Sequence, residues 1–337
     1  MKCCDVLIIG AGIAGASAAY ELAASAQVIV LEREAHPGYH TTGRSAAIYT
    51  QNYGNREIRA LTRASYPIFT AFPEGLVEHS ILSPRGALFV AREDQLGKLE
   101  SVLDEAQEFV PSIHKIDAAE ALVRSPALDP NYVAAAVFEP DARDIDVNAL
   151  HGGYLKGLRQ RGGEVVTNAE VIAIKRSGSA WTIDTRAGAF SAPIVVNAAG
   201  AWCDAIAELA GVRAIGLVPK RRTVFTFDPS DGTDVSSWPL TIDVDETFYF
   251  KPDAGRILAS PADETTSPPC DAQPEEIDVA VAVERLQSAT ILEVRRITHK
   301  WAGLRSFVPD KTPVVGMDDE AEGFFWLAGQ GGYGIQT

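Results

Sequence analysis

Four consecutive apolar residues, Val6 to Ile9, run straight into a glycine-spaced turn. A short unbroken apolar run bounded by a turn signal predicts a buried strand. The Ala-rich stretch after Gly12 predicts a helix, and Val28–Leu31 predicts a second buried strand, so residues 6–34 make a strand–turn–helix–strand unit. Apolar positions recur at helical spacing over 55–72 and 95–109, whereas GALFVARE (86–93) predicts a strand from its aliphatic and aromatic content. DIDVNALHGGYLKGLRQRGGEVV predicts a helix with Asp146 as N-cap, stopped at Gly162-Gly163 and followed by a short strand. Residues 171–200 predict three strands joined by glycine turns, the last being the wholly apolar and central Ile194–Asn197. From Lys220 to Ser260 apolar and polar positions alternate around an Asp-Ala-Gly turn, which predicts antiparallel sheet. The Pro-, Asp-, Glu- and Thr-rich residues 261–275 predict an exposed loop, and 277–292 a helix.

A chain of 337 residues, 46% hydrophobic, is long enough to need two cores, since single cores stop growing at roughly 250–300 residues. The order of elements predicts an α/β (α+β) protein. A parallel nucleotide-binding part is assembled from residues 1–80, 145–215 and 300–337, and an antiparallel part is inserted as 81–144 and 216–299. The formal charge of −15 disfavours nucleic acid and anionic membrane surfaces, which need a cationic face. Cys3, Cys4, Cys203 and Cys270 show no CxxC spacing or disulfide framework, which suits a reducing compartment. The six histidines form no HxxxH or HExxH pattern, so no metal site is expected. Lys2 before an apolar run mimics a signal peptide, but three glycines interrupt the run and no stretch of 18 apolar residues follows elsewhere. A cytoplasmic protein without a transmembrane segment is the expectation.

The chemistry of the first unit follows from its glycines. Gly10 allows a tight turn, Gly12 lets backbone approach a pyrophosphate, and Gly15 lets helix and strand pack closely, so that the helix N-terminus points free N–H groups at phosphates. Glu32, ending the second strand, is placed to accept from a ribose 2′-hydroxyl and argues against a 2′-phosphate. NAD enzymes more often keep the dinucleotide half continuous; the interleaved segments here favour a flavoprotein.

Six further motifs carry a likeness: YHTTGRSAA (39–47), NAAGAWCD (197–204), PKRR (219–222), FYFKPDAG (248–255), WAGLRSF (301–307) and GGYGIQT (331–337). Over essentially its whole length the chain resembles the FAD-dependent D-amino-acid oxidoreductases, the group that includes glycine oxidase and sarcosine oxidase, and most of all the D-arginine dehydrogenases. The resemblance implies a Rossmann-type FAD domain of the glutathione-reductase kind, with an inserted antiparallel substrate domain and non-covalent FAD. Met317 is the nearest sulfur where the sarcosine oxidase type links its flavin through cysteine. It implies oxidation of an amino acid to an imino acid by hydride transfer from Cα, with a quinone or similar acceptor; an oxygen-using oxidase and an inactive flavin-binding remnant are the alternatives. Beyond Gly10, Gly12, Gly15 and Glu32, it assigns Ile13, Ala14, Arg33, Thr41, Thr42, Gly43, Arg44, Ser45, Ala46, Ala47 and Ile48 to the cofactor. In the later segments it adds Val171, Gly200, Gly303, Gly331, Tyr333, Gly334, Ile335, Gln336 and Thr337. Trp202 either covers the adenine side or is core. Arg222 and Arg305 match positions that hold the substrate carboxylate, work for which the permanently charged, two-pronged guanidinium is suited. Tyr53 and Tyr249 match phenols that hold the carboxylate and close the pocket, and Gly332 would offer its carbonyl to the amino group.

Three departures shape the expectation. Ala87 stands where the D-arginine dehydrogenases carry a glutamate that reads a cationic side chain, and Ile48 stands in place of a histidine. Both changes point toward neutral or hydrophobic D-amino acids. The resemblance also implies a cofactor-capping helix after GGYGIQT, whereas this sequence ends at Thr337, which leaves open a longer chain or a weakened FAD site.

Overall fold

In the computed structural model, which describes residues 1–230 and 232–337, the apolar runs at 6–9 and 28–31 are fully buried neighbouring strands. They are central members of a six-stranded sheet in the order Glu164–Val166, Val28–Leu31, Val6–Ile9, Ile194–Asn197, Phe324–Ala328 and Val314–Met317. All pairings are parallel except the last. Unbroken apolar strands are what a parallel sheet covered on both faces requires. The helices Ile13–Leu22 and Val147–Gln160 pack together over this sheet. Asp146 caps the second of them by accepting from the Ala149 N–H, as its position predicts.

The second core belongs to a nine-stranded mixed sheet. Its long members Val218–Phe227 and Ile297–Phe307 run antiparallel, and Tyr249–Asp253 pairs with Arg256–Ser260 around Ala254 and Gly255. Both turn residues have positive φ, 48° and 79°, the conformation that a two-residue hairpin with right-handed strand twist demands. Leu240–Asp243 and Ala87–Ala91 make the one parallel pair on its described path, and the helix Glu276–Ala289 packs on this sheet. Ile297–Phe307 joins the nine-stranded sheet, so the boundary expected at residue 300 falls inside a strand.

Two expectations are corrected. Residues 171–200 hold four strands: Val171–Ser177, Ala180–Thr185 and Gly188–Ala192 form a meander with Lys2–Cys3, and Ile194–Asn197 joins the six-stranded sheet instead. Pro193 divides the last two because it has no N–H for the ladder. Residues 261–275 are not a wholly exposed loop: Thr265–Thr266 pairs with Lys220–Arg221, and Asp263 turns inward.

Among the described residues no helix is long and apolar enough to cross a membrane, and no three His, Cys, Asp or Glu side chains gather as a metal cluster would need. All four cysteines are free thiols; Cys3 is exposed, and Cys4 and Cys203 are buried.

Candidate active site

The ends of the central strands and the two long strands of the nine-stranded sheet border a cleft that runs from Gly12 and Ile13 to Arg222 and Arg305.

At one end lies the glycine turn. Gly10 has φ +104°, and a Cβ there would overlap the Ala198 carbonyl; one at Gly15 would overlap the carbonyl oxygen of Gly10. The close contact of Gly15 is therefore with the turn itself. Gly12, Ile13 and Ala14 line the cleft, and the helix they begin has neither a side-chain cap nor an acidic residue in its first turn. Its positive end is thus uncompensated. The Ile13 N–H donates to Thr42 Oγ1 at 3.0 Å, which ties the turn to the TTGRSAA segment. Glu32 is buried behind the turn, with Oε2 accepting from the Ala11 N–H and Oε1 from the Glu34 N–H, both at 3.0 Å. His151, unforeseen from sequence, donates to the Ala11 carbonyl at 2.8 Å, and burial holds its imidazole below the usual range.

The TTGRSAA segment and the GGYGIQT loop form the middle of the cleft. Thr41, Thr42, Arg44, Ser45, Ala46, Ala47 and Ile48 line it, as do Gly200, Gly303, Gly331, Gly334, Ile335 and Gln336. Arg44 spends its guanidinium on the carbonyls of Ala272 and Ala302 and on Asp271, so it fastens loops. Arg33 lies over the Trp202 ring, 4.9 Å from its centroid. Trp202 itself is half-buried and packs on His40. Gly43, Tyr333 and Thr337 do not line the cleft, and neither does Val171, which begins the meander and packs against its core.

At the other end the strand register brings the arginines together. Lys220 pairs with Arg305 and Arg222 with Gly303, so Arg222 and Arg305 are diagonal neighbours on one face. Both are largely buried: Arg222 Nε donates to the Asp263 carbonyl at 2.8 Å, and Arg305 Nη2 donates to Tyr53 Oη at 2.6 Å. Arg305 Nη1 is buried with no hydrogen-bond partner. Gly332 lies against this guanidinium so closely that a Cβ would overlap it. Tyr249 completes the wall.

Sequence reasoning missed Glu264. Its Oε1 stands 3.7 Å from Arg222 Nη2 and 4.0 Å from Arg305 Nη1, while Oε2 accepts from Lys220 at 2.9 Å. Burial alone would raise its carboxyl, but Lys220, Lys311 and Arg222 outweigh burial and hold it below the usual range. Buried cations draw acidic loop residues inward, which composition does not reveal.

The remaining wall is mostly apolar, formed by Ile48, Phe89, Val224, Leu240, Ile242 and Ile335, with the exposed Glu246 beside them. Ala87 does not line the cleft. It is fully buried on the same sheet face as Phe89, opposite Leu240, in a cluster with Ile48, Ile242 and Tyr249. Lys251 also lines the cleft unforeseen and donates to Asp144 at 2.7 Å, whose other oxygen accepts from Arg85. Alternating apolar residues on the strands were the available signal for the apolar wall; nothing local marked Lys251.

A family model described as FAD dependent oxidoreductase (DAO) matches residues 5–337. The chain is 24% identical to mitochondrial sarcosine dehydrogenase of Homo sapiens over 95% of its own length, spanning only 37% of that protein. It is 26% identical to the uncharacterized oxidoreductase YurR of Bacillus subtilis, covering 98% of this chain and 90% of that one. Among solved structures, glycine oxidase from Geobacillus kaustophilus superposes with TM-score 0.86 at 21% identity, covering 100% of this chain and 91% of that chain. The residues present fit the FAD of the family description. The uncapped helix N-terminus suits a pyrophosphate, and Glu32 keeps carboxylate lone pairs beyond its two backbone bonds for a ribose.

Proposed function

The chain belongs to the FAD-dependent oxidoreductase family, and from that premise we propose that it oxidises neutral, apolar D-amino acids at Cα, releasing an imino acid that water converts to a 2-oxo acid and ammonia. One observation carries this reading: Arg305 Nη1 is a buried, charged donor without an acceptor, beside Arg222 on the same strand face. A buried unpaired guanidinium proton is costly, and a substrate carboxylate relieves that cost with charge-assisted bonds. Tyr53 Oη already bonds the same guanidinium and so fixes its plane.

The α-carboxylate held there sends the side chain toward Ile48, Phe89, Leu240 and Ile242, a wall that rewards apolar area, while Glu246, the acidic residue among the described lining, is solvent-exposed, where an ion pair with a cationic side chain contributes little. Lys251 in the same wall donates to Asp144, a carboxylate it shares with Arg85. The Gly332 carbonyl is proposed to accept from the amino group. The motif likeness to D-arginine dehydrogenases supports the D hand, and the names of the relatives, sarcosine dehydrogenase and glycine oxidase, support an amino-acid substrate. FAD, bound non-covalently, supplies the two-electron acceptor for the hydride leaving Cα. The chain's own residues contribute orientation, fixed charge and exclusion of water.

The test is the visible spectrum of the FAD-loaded protein under anaerobic conditions, with D- and L-leucine, D-arginine, glycine and sarcosine added separately. Bleaching by D-leucine well ahead of the others is expected. Faster bleaching by L-leucine, sarcosine or D-arginine refutes the proposed hand or side-chain class, and bleaching by none refutes the amino-acid reading.

A further inference from the structure

Glu139 ends the strand Ala135–Glu139 and is wholly buried, and none of the roles described so far uses it. Its Oε2 accepts from Thr50 Oγ1 at 2.6 Å and its Oε1 accepts from the Gln51 N–H at 2.9 Å. Thr50 lines the cleft, and its own N–H donates to Oε1 of Gln336, another lining residue. A hydrogen-bonded path two groups long therefore joins the cleft to a carboxylate sealed from solvent.

An amino acid at neutral pH arrives as an ammonium, whose nitrogen has no lone pair to form the C=N bond. We propose that Glu139 takes up the proton the substrate ammonium must lose before oxidation, with the Thr50 hydroxyl as relay; this rests on the amino-acid reading above. The ammonium N–H bond breaks as Thr50 Oγ1 gains that proton, and the hydrogen previously on Thr50 passes to Glu139 Oε2. One N–H bond is exchanged for one O–H bond, and the amine nitrogen recovers its lone pair. Oε1 stays bonded to the Gln51 N–H throughout, so the carboxyl does not rotate. As product leaves, water entering beside Thr50 carries the proton away along the same path.

The surroundings suit this task. Burial drives the Glu139 carboxyl up to about 7, against the Thr50 hydroxyl and the N–H groups of Gln51 and Asn52, and Asp141 adds to the rise. A base is most effective when its affinity for protons lies near the working pH. The other ionisable groups facing the spot are Tyr49 and Arg143, paired with each other across neighbouring strands. The Tyr49 phenol is pushed up by its own burial and by Glu139, and Arg143 opposes that rise.

The experiment compares kcat/KM of FAD-loaded wild type and Glu139→Gln with D-leucine across pH, using a dye acceptor. Glutamine keeps the shape and the bond to Gln51 but takes no proton. At pH near 7 a fall of at least about tenfold is expected, closing to within about twofold above the ammonium pKa, where substrate arrives as free amine. Thr50→Val is expected to show the same pattern, and it carries the test if the first variant does not fold. Independently of activity, an infrared carboxyl band that grows as pH drops through about 7 is expected in wild type and absent from Glu139→Gln. An equal loss at both pH values, or no loss at neutral pH, overturns the relay alone. Wild-type flavin that no amino acid bleaches overturns the amino-acid reading and the relay with it.

Discussion

Gly332→Ala separates substrate binding from stability. A Cβ on Gly332 would lie 2.5 Å from Arg305 Nε and closer still to its Cζ and Nη2, whereas real Cβ contacts do not fall below 3.0 Å. The obstructing atoms are the far end of a long side chain, so the backbone need not move and the fold survives. The guanidinium must move instead. It then loses its 2.6 Å bond to Tyr53 and its alignment with Arg222. Charge-assisted hydrogen bonds contribute about 1.5–3 kcal/mol each, so misaligning a two-pronged carboxylate contact costs about 3 kcal/mol, roughly a hundredfold in KM. Steady-state kinetics with a dye acceptor read this, and thermal melting is expected to shift by only a few degrees, about 1 kcal/mol or less. Arg305→Ala should produce a similar KM, and Gly332→Ala in that background should add nothing, because the displaced group is gone. A KM within about threefold of wild type, or full additivity in the double variant, refutes the reasoning.

Arg222→Ala should raise the amino-acid KM more than about tenfold while FAD binding, read by fluorescence, stays intact; unchanged kinetics would sink the carboxylate clamp. Ala87→Glu places a carboxylate on the strand face that Phe89 shares, in the cluster with Ile48, and the ratio of D-arginine to D-leucine turnover is expected to rise by about tenfold or more. A ratio that does not move shows that position 87 does not sense the side chain. The Asp146 carboxyl is held below the usual range by the Ala149 N–H and by His79. Its depressed folded pKa means that this stabilisation is full above the unfolded pKa and is lost as pH falls through the folded one. Asp146→Ala should therefore cost about 1 kcal/mol in urea melts at neutral pH, and the gap to wild type should shrink toward pH of about 3.

What the sequence determined by itself is what short-range constraints decide. Gly10 needs φ +104° and supplies it, and Gly255 supplies one of the two positive φ angles of its turn, the other falling on Ala254. The Asp146 cap acts across three residues, and the buried strands 6–9 and 28–31 need only apolar runs with turns beside them. Tertiary structure decided everything that depended on register and on charges meeting from distant segments. Arg222 and Arg305 share a face only because Lys220 pairs with Arg305 and Arg222 with Gly303. Glu264 reads as a solvated loop residue until buried cations pull it in, and Ala87 aligns with a pocket position yet is packed shut within the apolar cluster. Thr50 and Glu139 meet at 2.6 Å from positions 89 residues apart, brought together where Ile48–Tyr49, just before Thr50, pairs with Arg143–Ile145, just after Glu139. A local pattern specifies a backbone conformation because its forces act within a turn or two. Side chains from separate strands converge only once burial has selected one register among those that the pattern permits.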